Sequence, residues 1–253
     1  MIRGFYSAAA GMLSKQKAID VISNNISSTN VAGYKSQTAV ESAFCDHLVS
    51  RVSSSPKVTE GNIGSGSFIT VNSDLHTDLT QGMLEHTGRS VDLAIRGEGF
   101  FLVNSEKYGD VLTRNGQVEL DANGNLILPG VGSLLDERGR EIKLRGTDFT
   151  VSTDGRILEN GRETNRLYIA APRGDSGLTK VGQGELISSE GYERADNKSY
   201  EVLQGYIEKS NVNMAKELSR IIAGQSHFQS CSQVLKIYDK INELSVNRIG
   251  SID

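Results

Sequence analysis

The stretch from about residue 212 to 248 constrains this chain most, because nothing in it halts a helix. It holds no proline and a single glycine, Gly224. Met214, Leu218, Ile221, Phe228, Cys231, Leu235, Tyr238, Ile241 and Leu244 recur in steps of three and four, with Gln225 interrupting. That spacing puts them on one side of a helix. At the usual rise per residue such a helix extends about 50 Å. Asn211 or Asn213 is placed to cap its start, and Glu217 in the first turns suits the helix dipole. The other faces carry Lys216, Arg220, Lys236, Asp239, Lys240 and Glu243. A helix this long and this narrowly striped is not easily buried in a small globule, and a sustained narrow stripe favours coiled-coil pairing.

The N-terminus offers a partner. Phe5, Met12, Ile19 and Ile26 recur every seven residues, and Ala8, Ala9 and Ile22 widen the stripe. Gly4, Gly11 and Ala18 lie on its flank, where small residues let a neighbouring helix approach closely. This helix should stop near Ile26. Ser27, Ser28, Thr29 and Asn30 favour caps and turns, and Gly33 can then take a positive φ.

The middle has the other periodicity. Val91, Leu93 and Ile95 alternate with Asp92 and Arg96, which predicts a half-buried strand. Phe100, Phe101, Leu102 and Val103 continue the apolar run after Gly97 and Gly99. Short apolar runs follow at Val111, Val118–Leu120, Leu126–Leu128, Ile142–Leu144, Phe149–Val151 and Leu167–Ile169. They are punctuated by Asn115-Gly116, Asn123-Gly124, Asp154-Gly155 and Asn160-Gly161, the strongest short hairpin signals. The expected class is α+β: a discontinuous terminal α-helical coiled-coil element flanking a central antiparallel all-β domain.

Chemistry-bearing patterns are sparse. None of His47, His76, His86 and His227 stands at metal-ligand spacing from a second ligand, and His227 reads as an exposed or interhelical residue. Gly97-Glu98-Gly99 is too short for a dinucleotide loop and suits close backbone packing or a bulge. Asp121 to Asn125 lacks the glycine and glutamate of a calcium loop and reads as a β-turn. No catalytic, cofactor or metal residue is expected. Cys45 and Cys231 lie far apart without CxxC spacing and are expected as free thiols. The net charge of −4 comes without a Lys/Arg run, which argues against nucleic acid or anionic lipid as partners. No stretch approaches a membrane span. The short apolar run after Arg3 is broken by Ser7, Gly11 and Ser14, so export, if it occurs, is expected without a cleaved signal.

Three blocks together resemble the bacterial flagellar rod and hook axial proteins. The first runs from Ser23 through Asn24, Asn25 and Ile26 to Gly33, Tyr34 and Lys35. The second is Asp92 to Phe101, with Gly97, Gly99, Phe100 and Phe101, and Thr113-Arg114-Asn115-Gly116 downstream. The third is Glu208, Lys209, Ser210, Asn211, Val212 and Asn213. They stand in the family's order over nearly the whole chain. Where the family usually carries Thr-Pro before the glycine, this chain has Val31-Ala32.

The resemblance implies a structural, non-enzymatic subunit of the basal-body rod, of distal or proximal type. Residues 1–35 would form the N-terminal helix and turn, 36–204 the central β domain with its connections, and 205–253 the C-terminal helix pairing with the first. The expected assembly interface is Phe5, Met12, Ile19, Ile22, Ile26, Met214, Leu218, Ile221, Phe228, Leu235, Tyr238 and Ile241. The implied partners are further copies in a helical polymer, other rod and hook axial proteins, and the flagellar type III export apparatus. A secreted binding module, such as an adhesin or phage tail component, shares the helix–β–helix plan. An enzyme would need converging Asp, Glu or His side chains in a deep pocket.

Overall fold

The computed structural model describes residues 2–43, 47–51, 61–66, 70–146, 148–174, 177–182 and 184–249. Cys45 lies outside them; Cys231 is a free thiol. The described residues form two long helices, α1 (Ile2–Ser27) and α2 (Met214–Ile249), with short strands between them. They fall into two compact units. One takes its residues from Met1–Ile26, Gln37–His76 and Met214–Asp253, and the other from Ser27–Ser36 and Thr77–Asn213.

In the first unit α1 and α2 run antiparallel. A Cβ added to Gly4 would strike the Tyr238 ring, one on Gly11 would lie 3.5 Å from Cys231 Sγ, and one on Gly224 would lie 3.1 Å from Ile19 Cγ1. One helix number rises as the other falls, in steps of seven and eight along α1. Met12, Ile19, Ile22 and Ile26 are half-buried, as are Ile221, Phe228, Leu235 and Tyr238. The strand Gln37–Ala43 returns along α1. The buried Asn25 amide donates to the Gln37 carbonyl (2.8 Å) and accepts from its N–H (3.0 Å). Further along, Glu41 Oε1 accepts from Ser14 Oγ at 3.1 Å and from Lys15 Nζ at 2.7 Å. Asn25 thus acts as a strand-like backbone partner.

The second unit is a β domain built on a nine-stranded antiparallel sheet. Its centre is the strand Phe100–Ser105, paired with Gly109–Thr113 through Phe101↔Thr113 and Val103↔Val111. Successive side chains of a strand point to opposite faces. Phe101 and Val103 accordingly join the larger core, with Leu93, Ile95, Leu126, Ile157 and Ile169. Phe100 and Leu102 join a second cluster with Leu112, Leu135 and Leu186. The unbroken apolar run Phe100–Val103 is therefore the signature of a strand covered on both faces.

The strand Leu93–Gly97 departs from the half-buried pattern expected of it. It starts after Val91, and Leu93, Ala94 and Ile95 are all fully buried. Ala94 is small enough to be covered on the face the alternation assigned to solvent. Ile142 and Leu144 are buried beside isolated bridges at Glu141 and Lys143 rather than within a strand.

The turn signals divide by geometry. Asn160 (φ 52°) and Gly161 (φ 77°) connect Arg156–Glu159 to Arg162–Arg166 as a two-residue turn with both φ positive. Gly124 and Gly155 carry positive φ in the turns that return Asp121 to Asn125 and Ser152 to Arg156. Asp121 to Asn125 is the turn the sequence suggests. Asn115-Gly116 is not a hairpin turn. Gly116 lies against the Leu93 carbonyl, where a Cβ would overlap, and its own carbonyl accepts the Leu93 N–H at 2.9 Å.

Candidate functional site: a helix surface and a buried clasp

Two features stand out, one in each unit. The first is the outer face of the helix pair. Facing each other, α1 and α2 cover only one side of themselves. Phe5, Met214, Leu218 and Ile241 of the expected interface remain exposed. The structure adds residues outside the expected set: Leu13 (66% exposed), Ile222 (67%), Ile237 (58%), Val246 (71%), Val234 and Leu244. The sequence carried this second stripe as Val234, Ile237, Ile241 and Leu244, again in steps of three and four, overlaid on the first. Solvent-exposed apolar side chains in such a row mark an unfilled contact. His227 is exposed on α2.

The second feature brings together, inside the β unit, the Gly33–Lys35 end of the first motif block and parts of the other two. Gly33 takes φ 68° and donates its N–H to the Glu208 carbonyl at 2.7 Å. A side chain there would run into the Arg114–Asn115 backbone, so glycine is required by both conformation and space. Tyr34 is buried, its carbonyl accepting from the Asn211 N–H at 3.3 Å. Lys35 is buried too, and its ammonium donates to Glu208 Oε1 at 2.7 Å and to the Thr80 carbonyl at 2.8 Å.

Glu208 is the hub. Its Oε1 also accepts from the Gly82 N–H at 2.9 Å, and its Oε2 from Arg114 Nη1 at 3.1 Å. Arg114 in turn donates to the carbonyls of Ile95 (3.2 Å) and Gly97 (2.6 Å), with its guanidinium 5.2 Å from the centre of the Phe100 ring. The side chains of Lys35, Arg114 and Glu208 are 3%, 4% and 1% exposed. Burial pushes the Lys35 ammonium and the Arg114 guanidinium down from their ordinary pKa values, and the Glu208 carboxylate offsets part of that. An isolated buried cation is expensive, so the shared carboxylate is what makes the arrangement tenable.

Other motif residues trim the clasp. Asn211 is not the helix cap; its Oδ1 accepts from the Ser36 N–H (2.8 Å) and its amide donates to Asp78 O (2.9 Å) and Thr80 O (3.2 Å). Asn213 directly precedes α2 instead. Ser210 Oγ accepts from the Val212 N–H at 3.3 Å. Gly97 (φ 97°) approaches the Ser199 carbonyl, and Gly99 (φ 114°) leaves only 2.5 Å from a would-be Cβ to Ile169 Cγ2. Asn24 is exposed on α1.

In the sequence Arg114 and Glu208 stand only as parts of motifs, because nothing in one dimension joins residues 94 positions apart. Lys180 stands in no motif at all. The Lys180 ammonium stands 3.2 Å over the centre of the Tyr34 ring and donates to the Lys35 carbonyl at 3.2 Å. Burial pulls its pKa down to about 8, against a smaller opposing pull from Glu185.

Beside the clasp lies a cavity of about 480 Å³ lined by Leu79, Gln81, Glu98, Phe100, Arg114 and Pro172 among others. Glu98 is the one carboxylate among its lining residues. Among the described residues there is no cluster of His, Cys, Asp or Glu suited to a metal, and no helix long and apolar enough to cross a membrane.

Comparison with known proteins agrees with this arrangement. Residues 203–248 match the family described as flagellar basal body rod FlgEFG protein C-terminal, and residues 94–159 match the flagellar hook protein FlgE/F/G D1 domain. The first match spans Glu208, Asn211 and most of α2; the second includes Arg114 and the central strands. The chain is 28% identical to the flagellar basal-body rod protein FlgG of Bacillus subtilis, over 98% of this chain and 99% of that one. It is 24% identical to the flagellar basal-body rod protein FlgF of Caulobacter vibrioides over the whole of both. Against the flagellar hook protein FlgE of Helicobacter mustelae it is 32% identical, over 59% of this chain but only 34% of the hook protein. The full-length correspondence is thus with rod proteins, and the chain is similar from end to end to the rod-type members of the bacterial flagellar rod and hook axial proteins.

Proposed function

We propose that this chain is a structural subunit of the flagellar basal-body rod that polymerises helically through its terminal helices. The observation that carries the reading is the row of exposed apolar side chains on the helix pair, Ile222, Ile237, Leu218 and Ile241 of α2 with Leu13 and Phe5 of α1. Burying a large aliphatic side chain contributes about 1.5–3 kcal/mol, so a repeated contact of this kind supports a polymer. A head-to-tail contact that does not close on itself generates a filament. In that filament the helices form the coiled-coil inner wall around an export channel, and the β domain lies outside. The rod then transmits motor torque to the hook. Its partners are copies of itself, neighbouring rod and hook axial proteins, and the flagellar type III export apparatus, which passes the chain without cleaving a signal.

Two measurements test this role. Antibody labelling of purified basal bodies should decorate the rod, and a strain lacking the gene should not swim. Normal swimming of the deletion strain, or label absent from the basal body, would overturn it.

A further inference from the structure

We propose that Glu208 is a positioning residue whose charge makes docking of the N-terminal linker conditional on the C-terminal one. Lys35 and Arg114 are both buried cations, and Glu208 is the one carboxylate in ion-pair contact with either among the described residues. Without that carboxylate, seating Lys35 would place two like charges in one dry site where burial already disfavours both, offset only by the weaker pull of Asp78 on Lys35 and of Glu98 on Arg114. The segment Gly33–Ser36 therefore docks on the β domain only when residues 208–211 are already in place. The two are 173 residues apart in the chain at Lys35 and Glu208, so the clasp cannot close until the chain extends through residues 208–211. The backbone bonds from Gly33 N–H to Glu208 O and from Ser36 N–H to Asn211 Oδ1 close in the same step. Gly33–Ser36 follows α1 and Glu208–Asn211 precedes α2 in the sequence, so one carboxylate couples the connections to both helices. The consequence for a rod subunit, which rests on the assembly reading above, is that the connections to both helices are fixed together or not at all.

The test is amide exchange in the full-length monomer, which does not depend on polymerisation. In Glu208→Gln the Gly33 and Ser36 amides should exchange about a hundredfold faster or more, while Leu102 and Val103 in the central strand stay protected. Adding Lys35→Met to Glu208→Gln removes the excess cation and should restore at least part of the lost protection. Lys35→Met alone leaves Arg114 and Glu208 as a neutral pair and should keep the linker docked. Unchanged exchange in Glu208→Gln would overturn the proposal. So would a double variant no better protected than Glu208→Gln, or undocking in Lys35→Met. If Glu208→Gln does not fold, the proposal requires that the double variant does, and failure of both overturns it.

Discussion

Gly224 of α2 makes the seat for Ile19 of α1: a single added carbon at residue 224 would lie 3.1 Å from Ile19 Cγ1. Gly11 of α1 also faces the partner helix, but there an added Cβ would meet Cys231 Sγ at 3.5 Å, an ordinary contact distance. Alanine exceeds glycine in helix propensity by about 0.8–1 kcal/mol. Gly11→Ala should therefore raise the helix-pair melting transition followed at 222 nm, whereas Gly11→Leu, which overfills the gap, should lower it. Equal effects of the two would contradict the packing described here.

Gly33 and Gly109 separate conformation from space. Both have positive φ, but a side chain at 109 meets nothing within 4 Å, whereas one at 33 overlaps the backbone of Arg114 and Asn115. Gly109→Ala should cost about 1–2 kcal/mol in urea denaturation, the strain of the left-handed conformation alone. Gly33→Ala should cost more than that, by an amount the overlap sets.

Arg114 holds two carbonyls and a carboxylate with one planar group. Arg114→Met leaves Glu208 with Lys35 and the Ile95 carbonyl with Gln81 Nε2, but takes from the Gly97 carbonyl its 2.6 Å bond, a loss of about 1–3 kcal/mol. Arg114→Lys keeps the charge but cannot reproduce the fork, and should recover only part of that loss. Chemical denaturation of the three proteins side by side reads the order.

Lys180 gives a pH signature with a definite sign. Its folded pKa of about 8 lies below its ordinary value of 10.5, so between those pH values the unfolded chain binds more protons. Stability then rises with pH across that window, and the burial penalty is fully present below it. Lys180→Met should lose this rise. The melting temperatures of the two proteins, compared from pH 7 to 10, should converge as pH rises. A difference that does not change with pH would show that Lys180 is not buried as described.

Much of the fold was legible because periodicity reports burial directly. The steps of three and four in α2 and of seven in α1 gave both helices, and Asn160-Gly161 gave its turn, since only a few residue pairs accept two positive φ values. Asn115-Gly116 misled for a physical reason. Glycine is needed there for the approach of the Leu93 carbonyl, not for a turn, and the two demands look alike in sequence. The fully covered Ala94 escaped alternation because a methyl group fits either a buried or an exposed face. The clasp was visible only as three motifs. Lys35, Arg114 and Glu208 are ordinary surface residue types, and their burial follows from a meeting of distant segments. The outward stripe of α2 was hidden by the inward one, because two apolar stripes on one helix dilute each other's contrast.

Assembly, as proposed, runs through the exposed face of the helix pair, distinct from the face between the helices. Ile222 and Ile237 lie on the outer face, so Ile222→Asp with Ile237→Asp should leave folding intact. The direct measurement is sedimentation with electron microscopy of the purified subunit at increasing concentration, beside this double variant. The natural chain should form filaments and the variant should stay monomeric, with unchanged helix content and unchanged melting of the β unit. Filaments formed equally well by the variant would contradict it.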